Sequence, residues 1–371
     1  MQRISMTCLR AGMVVANNIC AADGTKLMSA GTTLTPKQIF HLNKLGVGSV
    51  YVENPLFGSL EVPEVVREDT RITTIQALQK AVAGFGKTGE FELDDLKKSA
   101  KAMVSEVILN RDSMVHFLDM RSHEDYLFGH SVNVCILSIL TALNMNFNEA
   151  RLTDLALGTL IHDVGMTTVP KEILLKVGAL SAQEAQEVQK HAENGFDIVR
   201  KIRDLSTPSA HVAFQHHERF DGKGYPRGLK GDEIHEFARI ATVADIYDAL
   251  SSDRPYRKGM LPHVAYETLM TLADKYVDRD ILHLFLANVA IYPVGTTVQI
   301  NTGEYGLVTE VLPKLQARPT IKIFTDRSGN LLEDTQDVVL TEHLTRFITK
   351  VLKDSEMINL TRPFRKDRQV V

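Results

Sequence analysis

Residues 215–226 read QHHERFDGKGYP, so two adjacent histidines, His216 and His217, are followed by a loop that contains two glycines. Glycine permits backbone conformations and close approaches that other residues cannot make, and the loop can therefore form a tight rim beside the two imidazoles. Two neighbouring histidines on a surface would need no explanation. What this stretch means for the fold depends on whether other imidazoles and acids occupy similar positions.

Further histidines and aspartates occur where apolar runs predict buried helices. His130 begins one such run, His162 and Asp163 end another, and Asp245 interrupts a third. His191 lies in a fourth predicted helix. Burying an unpaired carboxylate costs several kcal/mol, so the two aspartates need cations or many hydrogen bonds.

These residues, taken with His216 and His217, form a set of potential metal ligands on consecutive helices. Imidazole and carboxylate ligands suit iron, manganese or zinc. The set is too large for one tetrahedral zinc, whereas two metal ions with one bridging carboxylate would use all of it. A single histidine is more often a core or surface residue than a ligand, and this interpretation is kept for His211, His235, His263 and His283.

The composition is typical of a globular protein. The chain has 371 residues, of which 44% are apolar and 24% charged, enough for two or three domains. A net charge of −4 argues against general nucleic-acid binding and against electrostatic membrane binding. We expect no apolar run of the ~18 residues that a membrane helix needs, and no signal peptide. Cys8, Cys20 and Cys135 predict neither a disulfide framework nor a thiolate zinc site, which favours the reducing cytoplasm.

The chain is predicted to be mainly α-helical with four regions. These are a small β-rich N-terminal domain (1–60) with a helix near Pro36–Leu45, a helical linker (61–119), a helical domain (120–290), and a small β-rich C-terminal subdomain with a terminal helix (291–371). Strands are expected at 297–300, 306–311 and 320–324, and a capping box at 181–184.

The linker is predicted to contain two helices around a loop at residues 84–89. In the second helix, apolar residues recur at helical spacing and should pack on a neighbour or form a homodimer; they are Leu93, Leu96, Ala100, Met103 and Val107. Residues 81–88 also fit a loose Walker A pattern. A phosphate loop must leave a strand and enter a helix, and this stretch follows a helix, so a loop between helices is favoured.

The order and spacing of these motifs, from about residue 120 to 290, resemble the HD-GYP family of cyclic-dinucleotide phosphodiesterases within the HD superfamily. The matching motifs are HDVG (162–165), VP (169–170), ILLK (173–176), HHE (216–218), DGKGYP (221–226), ADIYDAL (244–250) and RPYR (254–257). The resemblance implies an HD-type helical bundle. A weaker match suggests that the two β-rich segments are the accessory segments that some members carry.

The resemblance also implies a set of roles. Two divalent metal ions would be held by His130, His162, Asp163, His191, His216, His217 and Asp245, with Asp163 bridging and with His162 and Asp163 as catalytic residues. Iron or manganese is expected, with zinc, nickel or magnesium as alternatives. The implied reaction is attack of hydroxide on a 3′,5′-phosphodiester of cyclic di-GMP, which gives linear pGpG, with further cleavage to GMP left open.

Substrate and partner contacts follow from the same resemblance. Arg254, Arg257 and Lys176 are implied to bind the substrate, and a planar guanidinium suits phosphate or guanine. An ion pair with Asp248 or Asp253 is the alternative for the two arginines. The rim of the site, which is also the implied contact for a protein partner, would be formed by Asp221, Gly222, Gly224, Tyr225 and Pro226.

Two positions depart from the family pattern. A lysine usually follows the His-Asp-x-Gly sequence, but this chain has Met166, so a cation expected near the scissile phosphate is missing. Tyr126 stands where some members have a glutamate for a third metal, which predicts two metals here. One alternative function is therefore a catalytically weakened cyclic-dinucleotide sensor or protein-interaction module. Another is a different nucleotidase or phosphatase of the HD superfamily, against which the GYP loop argues.

Overall fold

The protein, seen in a computed structural model, has a large helical core with a small sheet-containing unit at each end. The structure describes residues 2–21, 25–54, 64–115, 126–174, 176, 178–252, 259–358 and 360. Helices dominate this part of the chain and the strands lie towards its two ends, which confirms the predicted fold class.

Among its described residues, the N-terminal unit has two pairs of antiparallel strands and one α-helix. The strands are β1 (Gln2–Ser5), which pairs with β4 (Ser49–Val52), and β2 (Ile19–Cys20), which pairs with β3 (Lys26–Met28). Helix α1 (Pro36–Lys44) begins after Thr35, whose side chain accepts a hydrogen bond from the Gln38 N–H. Leu34 and Leu42 are fully buried in the core that the helix and strands share.

The large core is built from the helices between residues 68 and 286. They are α2 (Glu68–Thr88), α3 (Asp94–Leu109), α4 (Tyr126–Asn144), α5 (Glu149–Leu160), α6 (Lys171–Leu174), α7 (Ala182–Gln189), α8 (His191–Val199), α9 (Thr207–Gln215), α10 (Glu236–Ser251), α11 (Pro262–Met270) and α12 (Arg279–Leu286). Helix α4 packs against α5 and α10, and α9 packs against α5, α8 and α10. The space that these helices surround is where the predicted ligands lie.

Helix α4 is more apolar than the sequence prediction allowed. The 18 residues Leu127–Asn144 have a mean hydropathy of 1.5, long and apolar enough to span a membrane, so the expectation that no run reaches this length is wrong. However, 72% of this stretch is buried inside the protein. Because α2, α3, α5, α10 and α12 all pack on it, α4 is the central helix of the core.

The two helices before residue 110 differ from the prediction. Helix α2 continues through residues 84–88, so the Walker-like stretch lies inside a helix and the turn comes at Gly89, which has a φ of +74°. A glycine costs a helix only about 1 kcal/mol, and neighbouring Phe85 packs on the core. Leu96 and Met103 of α3 are fully buried in the same core as α4, so of the two predicted alternatives this face packs on a neighbouring helix of the same chain.

The C-terminal unit is a five-stranded antiparallel sheet in the order β8-β7-β6-β5-β9. Its strands are β5 (Thr297–Ile300), β6 (Tyr305–Glu310), β7 (Thr320–Thr325), β8 (Leu331–Val339) and β9 (Ile348–Val351). The first three match the predicted strands within a residue. Strand β8 was not predicted because its middle is polar and exposed, and it is held by pairing with β7. Residues 354–358 form a short helix, and the predicted domain boundaries stay predictions.

Candidate metal centre

The seven predicted ligands converge inside the large helical core. His130 lies on α4, His162 and Asp163 follow α5, His191 begins α8, His216 and His217 follow α9, and Asp245 lies on α10. Their ligand atoms form two groups, in each of which the atoms lie within 4.8 Å of one another. The first group contains Asp163, His191, His216 and His217, and the second contains His130, His162 and Asp245.

The Asp163 carboxylate belongs to the first group and also faces the second. Its Oδ1 is 3.5 Å from Nε2 of His191 and 3.5 Å from Nε2 of His216. Its Oδ2 is 3.5 Å from Nε2 of His162 and 3.9 Å from Nε2 of His130. Each oxygen thus faces a different group, which is the arrangement that a carboxylate bridging two cations requires.

The end of α9 and the glycine that follows Asp163 and Val164 help to bring the ligands together. Helix α9 ends at Gln215, so His216 and His217 lie in the turn that follows. After Asp163 the chain passes very close to α8. A Cβ atom on Gly165 would lie 2.0 Å from the His191 carbonyl oxygen, so only glycine lets the two segments approach this closely.

Backbone carbonyls orient three of the histidines. In each of them Nδ1 donates a hydrogen bond to a carbonyl oxygen of the preceding helical turn. The contacts are His162 to Thr159 (2.7 Å), His191 to Val188 (2.7 Å) and His216 to Val212 (2.9 Å). Because the proton is held on Nδ1, the lone pair of each Nε2 is free to ligate a cation, as is usual for metal-bound histidines.

A carboxylate orients His130 instead. Its Nδ1 is 2.6 Å from Oδ2 of Asp248, and its Nε2 is 3.1 Å from Oδ1 of Asp245. Burial lowers the pKa of His130, but hydrogen bonds and negative charge from the two aspartates outweigh burial and raise the pKa to about 10. Asp248 was predicted only as an alternative ion-pair partner of Arg254 and Arg257, and not as a residue of the site. Its spacing of three residues from Asp245, on the same face of α10, was the signal that could have identified it.

Three of the other imidazoles and the two central carboxylates are shifted towards the forms that bind cations. His216 differs: burial lowers its pKa, but the hydrogen bond and negative charge of Asp163 outweigh burial and raise the pKa. Burial lowers the pKa of His162 to about 4, and it lowers the pKa values of His191 and His217 as well, so these rings favour the neutral form. Burial raises the pKa values of Asp163 and Asp245, but the surrounding imidazoles outweigh burial and hold both carboxyls well below their ordinary pKa. Neutral imidazoles and ionised carboxylates are what a metal site requires.

These residues fit a pair of divalent cations. Nε2 of His162 is buried and has no hydrogen-bond partner among the described residues. Leaving such a nitrogen unpaired costs about 1–3 kcal/mol, whereas a cation would satisfy it. Nε2 of His191 and Nε2 of His216 lie 3.3 Å apart and both face Asp163, so one cation can contact all three. Carboxylates, together with imidazoles whose second nitrogen is already hydrogen-bonded, are typical of divalent metal sites.

The glycine-rich loop lies against the first group of ligands, as expected for a rim. The ring of Tyr225 is 4.8 Å from that of His217 and 6.4 Å from that of His191. The buried Glu218 carboxylate accepts hydrogen bonds from the N–H groups of Arg227 and Leu229, at 2.8 Å and 3.0 Å, and so holds the far end of the loop. These contacts close one side of the cluster with an aromatic ring.

The other residues of the rim hold the turn of this loop. Asp221 pairs with Arg219 at 2.6 Å and accepts the Lys223 N–H. Gly222 has a φ of +79°, a conformation that favours glycine. A Cβ atom on Gly224 would lie 2.3 Å from the Arg219 nitrogen. The turn thus needs these residue types, and contact with a protein partner stays a prediction.

Of the predicted substrate-binding residues, Lys176 is the one that the structure describes, and it pairs with Glu184. Nζ of Lys176 lies 2.6 and 2.8 Å from the two carboxylate oxygens of Glu184. Glu184 also forms the predicted capping box with Ser181. Arg254, Arg257 and the alternative partner Asp253 lie outside the described residues. Contact of Lys176, Arg254 and Arg257 with a substrate stays a prediction.

Comparisons with known proteins agree with the geometry. A model of the HD domain matches residues 118–281, and a model of the KOW domain associated with the HD domain matches residues 297–360. The chain is 34% identical over 220 residues to the cyclic di-GMP phosphodiesterase PA4108 of Pseudomonas aeruginosa, a match that covers 59% of this chain and 52% of that protein.

Two further relatives have similar names. The chain is 43% identical over 135 residues to the 3′3′-cGAMP-specific phosphodiesterase 3 of Vibrio cholerae, covering 36% of this chain and 29% of that protein. It is 31% identical over 217 residues to the cyclic di-GMP phosphodiesterase of Thermotoga maritima, covering 58% and 56%. The chain thus spans about half the length of the Pseudomonas and Thermotoga relatives and less of the Vibrio one. The chain therefore contains an HD domain, and its motifs and ligand cluster resemble those of the HD-GYP phosphodiesterases.

Proposed function

We propose that this chain is a metal-dependent phosphodiesterase that hydrolyses the cyclic dinucleotide cyclic di-GMP to linear pGpG. The observation that carries the proposal is the convergence of seven ligands into two groups on either side of Asp163. The names of the relatives support the substrate class, since they are phosphodiesterases of cyclic di-GMP or of 3′3′-cGAMP. Further cleavage to GMP is part of the same hypothesis.

The residues of the chain would hold the reacting groups in place. Two divalent cations, iron or manganese in this proposal, would supply hydroxide near neutral pH and stabilise charge on the phosphodiester. Asp163 would be shared by both cations, and the hydrogen bond from His162 to Thr159 keeps the ligating nitrogen of His162 deprotonated. Tyr225 covers His217 and would limit the access of bulk water.

The reaction balances as a simple hydrolysis. The oxygen of water forms a bond to phosphorus, the bond from phosphorus to the 3′-oxygen breaks, and that oxygen takes a proton, which leaves the 5′-phosphate of pGpG. Arg254, Arg257 and Lys176 are proposed to bind phosphate or guanine. For Lys176 this requires release from Glu184, with which it forms a partly exposed ion pair that solvent screens.

The test is metal analysis combined with chromatography of the products. The purified chain should contain two divalent ions, convert cyclic di-GMP to pGpG, and lose this activity when a chelator removes the ions. His191→Asn should abolish turnover, whereas the matched variant His283→Asn, which changes an exposed histidine outside the cluster, should not. Metal-loaded protein that turns over no cyclic dinucleotide would reject the proposal.

The second candidate function is a cyclic-dinucleotide sensor or interaction module with weakened catalysis. Met166 motivates it, because this half-buried residue directly follows Gly165 at the position where the family usually has lysine. Tight binding of cyclic di-GMP without hydrolysis, and no gain of activity in Met166→Lys, would favour this function. A panel of mononucleotides and phosphomonoesters tests the third candidate, another nucleotidase or phosphatase of the HD superfamily.

Three broader predictions belong to the same proposal. A cytoplasmic location is supported by the free thiols of Cys8 and Cys135, the latter buried with its pKa raised to about 12 by burial. A protein partner would contact the loop Asp221–Pro226. A homodimer would have to use a surface other than the buried face of α3.

A further inference from the structure

A chain of hydrogen bonds connects α2 to the ligand His130. Nη2 of Arg71, on α2, donates to Oδ1 of Asn133 at 2.9 Å. Nδ2 of Asn133 donates to Oδ1 of Asp248 at 2.9 Å, and Oδ2 of Asp248 accepts from Nδ1 of His130 at 2.6 Å. Arg71 precedes residue 118, at which the match to the HD domain begins, so this path of hydrogen bonds starts outside the matched segment.

Helical spacing makes this connection specific. His130 and Asn133 are three residues apart on α4, and Asp245 and Asp248 are three residues apart on α10, so each pair shares one face of its helix. These faces meet in the core, where Asn133 is 3% exposed and Asp248 is 1% exposed. Hydrogen bonds in such a place are stronger than in water, and losing one partner leaves a buried polar group unsatisfied.

Arg71 determines which way the Asn133 amide points. A guanidinium has only donors, so it requires the amide oxygen to face it, and this directs the amide NH₂ towards Asp248. The opposite orientation would place the amide oxygen against the Asp248 carboxylate and the NH₂ against the Arg71 guanidinium. Both contacts would then be repulsive, and the carboxylate that orients His130 would lose a donor.

We propose that Arg71 is a positioning residue of the metal centre, acting through Asn133 and Asp248 on the orientation of His130. Through it, the placement of α2 determines how tightly the group of His130, His162 and Asp245 holds its cation. The other group, whose histidines His191 and His216 are oriented by backbone carbonyls, is independent of α2. The inference rests on the proposed function only in that the cluster binds metal, and it needs no turnover.

The test is titration of metal-free protein with Mn²⁺, with free Mn²⁺ measured by electron paramagnetic resonance. Asp248→Asn should weaken one of the two sites by about 10–100-fold, as expected for a direct partner of a ligand. Arg71→Met, two hydrogen bonds further away, should weaken the same site by about 3–10-fold and leave the other unchanged. Arg71→Lys, which retains a cationic donor, should recover part of the loss.

The matched control is Arg67→Met. Arg67 immediately precedes the first residue of α2. Its Nη2 pairs with Oε1 of Glu106 on α3 at 2.7 Å without reaching Asn133. This variant removes an arginine–carboxylate pair of the same helix and should leave both metal affinities unchanged. A loss in Arg67→Met equal to that in Arg71→Met would overturn the inference, because a general loosening of α2 would then explain both.

A double-mutant cycle tests the path itself. If Arg71 acts only through Asn133, then Asn133→Leu combined with Arg71→Met should bind Mn²⁺ as Asn133→Leu does alone. Additive losses, or an unchanged affinity in Arg71→Met, would overturn the inference. If Arg71→Met does not fold, Arg71→Gln, which keeps one donor, takes its place in the cycle. Wild-type protein that binds two Mn²⁺ ions but cleaves no cyclic dinucleotide would reject the proposed phosphodiesterase and leave this inference intact.

Discussion

The two parts of the metal centre are held by different kinds of contact. On α8 and after α9, His191 and His216 are oriented by carbonyl oxygens of their own preceding helical turns. On α4, His130 is oriented by Asp248, a side chain of another helix, which is in turn contacted by Asn133. A carbonyl of the same turn moves with its histidine, whereas a carboxylate on another helix moves with that helix. One part therefore depends on local folding and the other on tertiary packing.

This difference implies that the two cation sites can be disturbed separately. His162 shares a group with His130 but is oriented by its own backbone, so the tertiary dependence is concentrated on one ligand. Asp163 belongs to the group of His191 but also faces the other group, because its Oδ1 lies near His191 and its Oδ2 near His162. Variants of Asp163, of residues that position one group through its own backbone, and of residues further from the cluster should therefore differ in how many cations they lose.

The largest effect is expected for Asp163→Asn. The shared carboxylate supplies charge to both groups, so this variant should lose both cations and at least about 100-fold in turnover, beyond the loss typical of residues that only orient a ligand. Elemental analysis of the purified protein measures the metal content. Asp245→Asn is the control, since Asp245 belongs only to the group of His130 and should cost one cation. Equal losses in the two variants would show that the two parts are not separable.

A smaller effect, confined to the part held by the backbone, is expected for Gly165→Ala. The added Cβ would lie 2.0 Å from the His191 carbonyl oxygen and 2.6 Å from the Gly195 nitrogen, so α8 must shift. We expect a loss of about 1–3 kcal/mol in the free energy of unfolding, measured with urea, and weaker binding in the group of His191.

Gly84→Ala provides the matched control for this substitution. Gly84 lies inside α2 and has no atom within 4 Å of the added Cβ, so alanine should stabilise the helix by about 0.5–1 kcal/mol. The two glycine-to-alanine changes should thus have opposite signs. Wild-type stability in Gly165→Ala would contradict the close approach of α8.

The smallest effect is expected at the start of α7, which carries the carbonyl partner of His191. Hydrogen bonds from Lys176 and from Ser181 lower the pKa of Glu184 to about 2, against an ordinary value of 4.5. A lowered carboxyl pKa means that the stabilisation is complete above the ordinary value and is lost as the pH falls through the lowered one. Glu184→Gln should therefore be slightly less stable than wild type near neutral pH, and this difference should vanish towards pH 2.

Urea unfolding at a series of pH values measures this difference, and Mn²⁺ titration of the same variant should give wild-type affinity. Glu187→Gln is the control on the same helix, because it removes an exposed pair with Lys190 but no capping contact. Loss of a cation in Glu184→Gln would show that the cap, and not only the local turn, orients His191.

Features that depend on local sequence were predictable. The capping box at Ser181 and Glu184 and strands β5, β6 and β7 all appear where the sequence places them. In each case the signal is contained in a few neighbouring residues: a hydroxyl three residues before an acid, or an alternation of apolar side chains. Buried acids next to histidines also indicated which residues to consider as ligands.

The sequence by itself determined the helical character of the chain, the order of its motifs and the seven candidate ligands, because these follow from residue type and short-range spacing. Only the tertiary structure decided that Asp163 lies between two groups, that Asp248 orients His130, and that Arg71 reaches Asn133. It also decided that α2 runs through two glycines and that the polar strand β8 pairs with β7. These features join residues far apart in the chain, and their energies come from packing and burial that no short window of sequence contains.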